Sequence, residues 1–127
     1  MATEGLIIKE FEEILARLTE NNQPYWEVNN EDANPTMFKA YCISKEAGQS
    51  MLDFNEAIWD EDIKPIADKL RMSGIREFTI SVRQGNLTDV LAAFQELGIF
   101  VKGIVNVNAR YKSCGRCFVS AVLMQVA

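Results

Sequence analysis

The 127-residue chain is 48% hydrophobic and 24% charged, carries a formal net charge of −5 and contains no histidine. That composition belongs to a globular chain rather than a disordered one, and no apolar run reaches the ~20 residues of a membrane-spanning helix. Without histidine there is no Ser-His-Asp or Cys-His nucleophile system, no imidazole acid–base chemistry and no histidine-ligated metal.

One domain spanning residues 1–127 is expected, large enough to bury about two-thirds of its unfolded-chain surface. Met1 to Gly5 lacks the basic start and apolar core of a signal peptide, and three cysteines suit a reducing compartment, so a cytoplasmic location is expected.

Ile7, Phe11, Ile14, Leu15 and Leu18 mark one face of an opening helix that Asn21-Asn22 ends. Residues 21–36 read as a polar loop interrupted by Tyr25-Trp26. Phe38–Ser44 reads as the first strand, with Phe38, Ala40 and Cys42 on one side. Lys45 to Gln49 forms a turn, and Ser50 with Asp53 suits the start of a helix carrying Leu52, Phe54 and Ile58. Asp60-Glu61-Asp62 opens another helix, because Pro65 is tolerated in a first turn and carboxylates favour the positive pole. Ile63, Ile66, Ala67 and Leu70 form its buried stripe, and Gly74-Ile75 closes it.

Glu77–Arg83 alternates Phe78, Ile80 and Val82 with Glu77, Thr79, Ser81 and Arg83, the pattern of a strand with one polar face. Gln84-Gly85-Asn86 breaks it, with Asn86 placed to cap a helix bearing Leu87, Val90, Leu91, Phe94 and Leu97. Gly98 ends that helix, and Phe100–Arg110 and Phe118–Val126 form a hairpin about the Tyr111–Arg116 turn. The polar face excludes a sheet covered on both sides. The expected fold is therefore a two-layer α/β sandwich: one mixed four-stranded sheet with helices mainly on one face, plus the N-terminal helix. The strands flanking Leu87–Leu97 should run parallel, through a right-handed crossover. Phe78, Ile80, Val82, Leu91 and Phe94 are its expected core.

The pattern Leu70-Arg71-x-x-Gly74-Ile75-x-Glu77-Phe78-Thr79-Ile80-Ser81, with Gly98, Gly103 and the stretch Val105 to Tyr111, resembles an uncharacterised family of small proteins from gut Firmicutes. The resemblance covers about the last two-thirds of the chain. It implies a setting in plasmids, phages and conjugative elements, and it brings no activity and no catalytic residue.

Three constellations could carry chemistry. Cys114-Gly115-Arg116-Cys117 has zinc-ligand spacing, but only Cys42 remains as a third thiol, so neither a metal nor another cofactor is expected. Lys45 and Ser50, with Arg83, Gln84 and Asn86, follow strands and precede helix starts, where anions collect in open α/β sheets; plain turn chemistry is the alternative. Residues 1–65 hold 14 Asp/Glu against 5 Lys/Arg, and residues 66–127 hold 4 against 8, giving −9 and +4. The acidic half disfavours direct nucleic-acid binding and suits a basic protein partner, with Glu61, Asp62 and Asp68 as contacts and Tyr25 and Trp26 as aromatic anchors. A solvated helical surface, with the two rings folded back over the core, is the alternative.

The leading expectation is a non-enzymatic protein-binding or regulatory protein of a mobile element. An anti-CRISPR-like inhibitor occupying the nucleic-acid groove of a host defence nuclease is the specific form. The alternative is a small-anion or nucleotide-binding domain, or an enzyme, using the strand-end site. No membrane partner is expected, and self-association is left open.

Overall fold

The computed structural model describes residues 6–108 and 118–127. The Tyr111–Arg116 turn, with Cys114 and Cys117, lies outside them. Helix α1 spans Lys9–Glu20 and buries Phe11, Ile14 and Leu18. Ile7 was expected in this stripe but is exposed, while Ile8 is buried. Both precede the first helical residue, so helical phase does not govern them. Asn22 closes the turn at φ 57°, a conformation asparagine tolerates better than most residues. Tyr25–Glu27 forms a short 3-10 helix within the expected loop.

Residues Phe38–Ser44, expected as a strand, lie within helix α2, Pro35–Glu46. Asn34 accepts from the Met37 N–H (2.9 Å) and Pro35 occupies the first helical position, a complete start signal. The helix is buried nearly all round, from Met37 and Phe38 through Ala40 to Ser44. Such burial erases helical periodicity and leaves an apolar run that also fits a strand. The helix expected from Ser50 to Ile58 is absent too; Asp53–Phe54 is strand β1. Helix α3 spans Asp60–Met72 as the sequence indicates. It ends with Gly74 at φ 72°, where the Ile75 N–H bonds Leu70 O (2.9 Å) and the Gly74 N–H bonds Arg71 O (3.1 Å).

Strand β2 (Glu77–Ile80), helix α4 (Leu87–Glu96), and strands β3 (Ile99–Asn108) and β4 (Phe118–Val126) complete the order. The sheet runs β1-β2-β4-β3, with β1 parallel to β2 and β4 antiparallel to both its neighbours. Strands β2 and β3 therefore point the same way, as expected, but β4 lies between them. The expected α/β fold, with one mixed four-stranded sheet and an N-terminal helix, is the fold observed.

The core runs through ring contacts. Phe78 meets Phe54 and Phe94 edge-on, each at 5.6 Å between centroids, which fixes α4 on the sheet. Phe11 does the same with Phe38 and Tyr41 at 5.3 Å, joining α1 to α2. Phe78, Ile80 and Phe94 are buried as expected, whereas Val82 and Leu91 are half-buried. Strand pairing stops at Ile80, and Leu91 lies at the margin of the α4 stripe centred on Val90 and Phe94.

The Tyr41 hydroxyl accepts from the Ile8 N–H (3.0 Å), tying off the start of α1, and donates to the Glu12 carboxylate. Burial and that carboxylate push the Tyr41 phenol above its usual range. Burial, reinforced by Glu46 and Glu12, raises the neighbouring Cys42 thiol to about 12. Both groups prefer their neutral form when folded, so their contribution is intact below the unfolded-chain values and is lost as pH rises. Unfolding free energy should fall from about pH 9 upward, where thiols of the unfolded chain begin to ionise. Titration of urea midpoints should show this limb, and Cys42→Ala should flatten its first part. An unchanged limb would assign it to other groups.

Candidate functional site

The face of the sheet opposite Phe78 is organised by Asp53. Its register with Thr79 sets the carboxylate beside the next strand. There it accepts from Thr79 Oγ1 (2.7 Å) and Ser81 Oγ (2.8 Å). Asp53 is 1% exposed, and both hydroxyl residues are buried. The sequence reading put Thr79 and Ser81 on an open polar face; alternation shows that a face is polar, not that water reaches it. The Ser44 hydroxyl accepts from the Asp53 N–H (3.0 Å) and donates to Asp53 O (3.3 Å), satisfying backbone groups that β1 turns away from β2.

A loop, Gly48 to Met51, reaches the far strand, where Gln49 Nε2 donates to Asn108 O (3.0 Å). Between loop and sheet lies a cleft of about 400 Å³, whose walls include Ser50, Thr79, Leu123, Val105 and Asn108. Among its described lining residues there is no Lys or Arg, and Asn108 Oδ1 is buried with no hydrogen-bond donor. The arrangement can hold a neutral guest that donates a hydrogen bond.

Ser50 sits at the rim of this cleft. Lys45 is in the last turn of α2, not in a loop after a strand; its ammonium pairs with Glu12 and lies 5.4 Å from the Tyr41 ring centroid. Those bonds to Lys45 and Tyr41 hold the Glu12 carboxyl below its usual range. Arg83 donates to Ser120 O (3.3 Å). Gln84 clasps Ile58, accepting from its N–H (2.9 Å) and donating to its carbonyl (3.0 Å). Asn86 precedes α4 without a side-chain capping bond, because its Oδ1 accepts from Gln84 instead. Among the described residues no hydrogen bond or ion pair joins Lys45 or Ser50 to Arg83, Gln84 or Asn86.

The acidic contacts divide in the same way. Asp62 is 5% exposed and works inside the fold. It accepts from the Trp59 N–H (3.0 Å), Asn34 Nδ2 (2.9 Å) and Thr36 Oγ1 (2.9 Å), binding the starts of α2 and α3 together. Glu61 is exposed, and Asp68 pairs with Lys64 at 3.1 Å. Trp26 is exposed, its ring edge-on to half-buried Tyr25. The sequence reading missed Trp59, which is 57% exposed directly before Asp60 and Glu61. A tryptophan set against two carboxylates at a helix start was its only available signal. Among the described residues no three metal-ligating side chains converge.

These features define a small α/β protein with a mixed four-stranded sheet and an acidic, tryptophan-bearing helix start. Residues 36–121 match the family described as Domain of unknown function (DUF7698), and the chain belongs to that family. The match runs from α2 into β4 and leaves α1 outside. No curated protein and no solved structure matches the chain. Among the described residues no helix is long and apolar enough to cross a membrane.

Proposed function

We propose that this is a non-catalytic, single-domain cytoplasmic protein that acts by binding a basic surface on another protein. The observation that carries the reading is Trp59 standing exposed beside exposed Asp60 and Glu61. A tryptophan supplies buried contact area, and flanking carboxylates supply orientation and long-range attraction. The wider surface agrees: ion pairs occupy Glu10, Glu12, Asp32, Glu56 and Asp68, while Glu13, Glu20, Glu27 and Glu31 are exposed outside those pairs. With the resemblance to proteins of mobile elements, the partner class is a host defence nuclease whose nucleic-acid groove this acidic face fills.

Association with candidate nucleases at low and moderate salt tests the reading. Glu61→Lys with Asp68→Lys should slow capture at least several-fold at low salt and leave the unfolding midpoint nearly unchanged, since exposed charges contribute only about 0–1 kcal/mol. A rate indifferent to both salt and charge reversal would reduce the acidic face to a solvated surface.

A second reading, small-molecule binding, is favoured by the cleft and the buried Asn108 Oδ1. Thermal stabilisation by a nucleoside, but not by inorganic phosphate, would support it.

A further inference from the structure

The two edges of the sheet are finished differently. At β1 the outward backbone groups of Asp53 are taken up by the Ser44 hydroxyl. At β3, ten residues long and last in the order, no further strand follows among the described residues, and Gln49 takes up only the Asn108 carbonyl at its end. The direction of its backbone groups follows from two bonds: the Val126 N–H goes to Arg76 O on the β2 side (2.8 Å), and the Ala127 N–H goes to Gly98 O on the β3 side (2.9 Å). Alternation along β4 then turns Gln125, Leu123, Ala121 and Val119 toward β3, and with them their partners Phe100, Gly103, Val105 and Val107. Ile104 and Asn106 therefore direct their N–H and C=O groups away from the sheet.

The side chains on this edge are apolar as well. Val101 is 52% exposed, Ile104 66%, and Phe118 on the adjoining strand 65%. Ile104 and Phe118 share one face, since their partners Val122 and Asn108 lie on the same alternation. The protective devices lie outside the Ile104–Asn106 stretch: the register shift falls between Val101 and Gly103, β3 has no proline, and its single charge, Lys102, is paired with Glu77 of the same chain.

We propose that β3 is the seam of a homodimer, in which two copies pair edge to edge and antiparallel about a two-fold axis near Val105, making one continuous eight-stranded sheet. In that register Ile104 of each copy exchanges backbone bonds with Asn106 of the other. Charge selects a second copy as the occupant. The chain carries −5 overall, and its acidic helical surface repels its own kind. The β3 edge presents one charge, already neutralised by Glu77, so two copies meet here without like charges in opposition. An isologous contact needs a self-complementary patch, and the Ile104–Asn106 stretch, uncharged and with outward backbone groups on both sides of Val105, provides one. This inference uses a surface separate from the acidic face and stands independently of the partner reading.

Sedimentation equilibrium of the full chain over a wide concentration range decides it. The expected mass approaches twice 14.3 kDa at high concentration. Ile104→Lys sets two new charges beside the axis and should weaken dimerisation at least about tenfold, with the circular dichroism spectrum unchanged. Asn106→Pro removes only an outward N–H and should act likewise. Glu61→Lys, on the acidic face, should leave the dimer intact. A wild-type mass of 14.3 kDa throughout overturns the proposal, as does a folded Ile104→Lys that dimerises as tightly as wild type. A β3 edge reserved for another protein's strand would give the first of these results.

Discussion

Replacing Phe78 by alanine is expected to lower the unfolding free energy by about 3–5 kcal/mol. Phe78 is fully buried and is the middle ring of three, with Phe54 of β1 on one side and Phe94 of α4 on the other. Truncation removes the transfer free energy of the ring. It also opens a cavity whose walls belong to three different elements, so collapse from one side cannot refill it. Two edge-to-face contacts vanish with it, each worth about 0.5–1.5 kcal/mol beyond area. Leu91→Ala, at a half-buried position of the same helix, should cost clearly less. Urea unfolding with an unchanged slope measures both. A loss under about 1 kcal/mol for Phe78→Ala would mean that α4 does not seat on β2.

The legible parts of the fold were those where local chemistry and tertiary environment agree. Helix α3 has its acid-rich start, early proline and closing glycine, and each reports on backbone geometry that no neighbour can override. Strand β4 is read residue for residue because a nine-residue, mainly apolar run follows a polar turn, a length that fits a strand better than a helix. The misread segment, Phe38 to Ile58, is where burial is nearly complete: α2 is covered on most sides, and β1 is only two residues long. A two-residue strand has no period to detect, and a helix buried all round has no amphipathic stripe. The Asn34-Pro35 start signal was present in the sequence and outweighs the β-like composition that follows it.

The site residues show the same division. Glu61 could be placed outside from composition alone, whereas Trp26 could not, because an aromatic in a loop more often folds back over the core. Asp62 could not, because its burial depends on Asn34 and Thr36 arriving from 26 to 28 residues away. Gln84 and Asn86 look like an anion-binding turn in sequence, yet one holds Ile58 and the other holds Gln84. Hydrogen bonds between distant segments leave no periodic trace.

Asp53→Ala is expected to be strongly destabilising for a polar reason, at about 1.5–3 kcal/mol for each hydrogen bond the carboxylate accepts. The carboxylate is the acceptor for Thr79 Oγ1 and Ser81 Oγ in a place water does not reach. Alanine strands the Ser81 hydroxyl and leaves Thr79 Oγ1 only its long bond to Leu52 O (3.4 Å), and a buried orphan costs about 1–3 kcal/mol. Asp53→Asn keeps one amide oxygen as acceptor and should cost less than alanine. The decisive comparison is Asp53→Ala combined with Thr79→Val and Ser81→Ala. Removing the stranded donors should recover part of the loss, so the triple variant should be more stable than the sum of its single changes predicts. Strict additivity would show that the hydroxyls are satisfied elsewhere and that Asp53 does not hold β1 to β2. Recovery would assign the polar interior of this sheet to cohesion between strands, with recognition left to the acidic helix start and the open edge of β3.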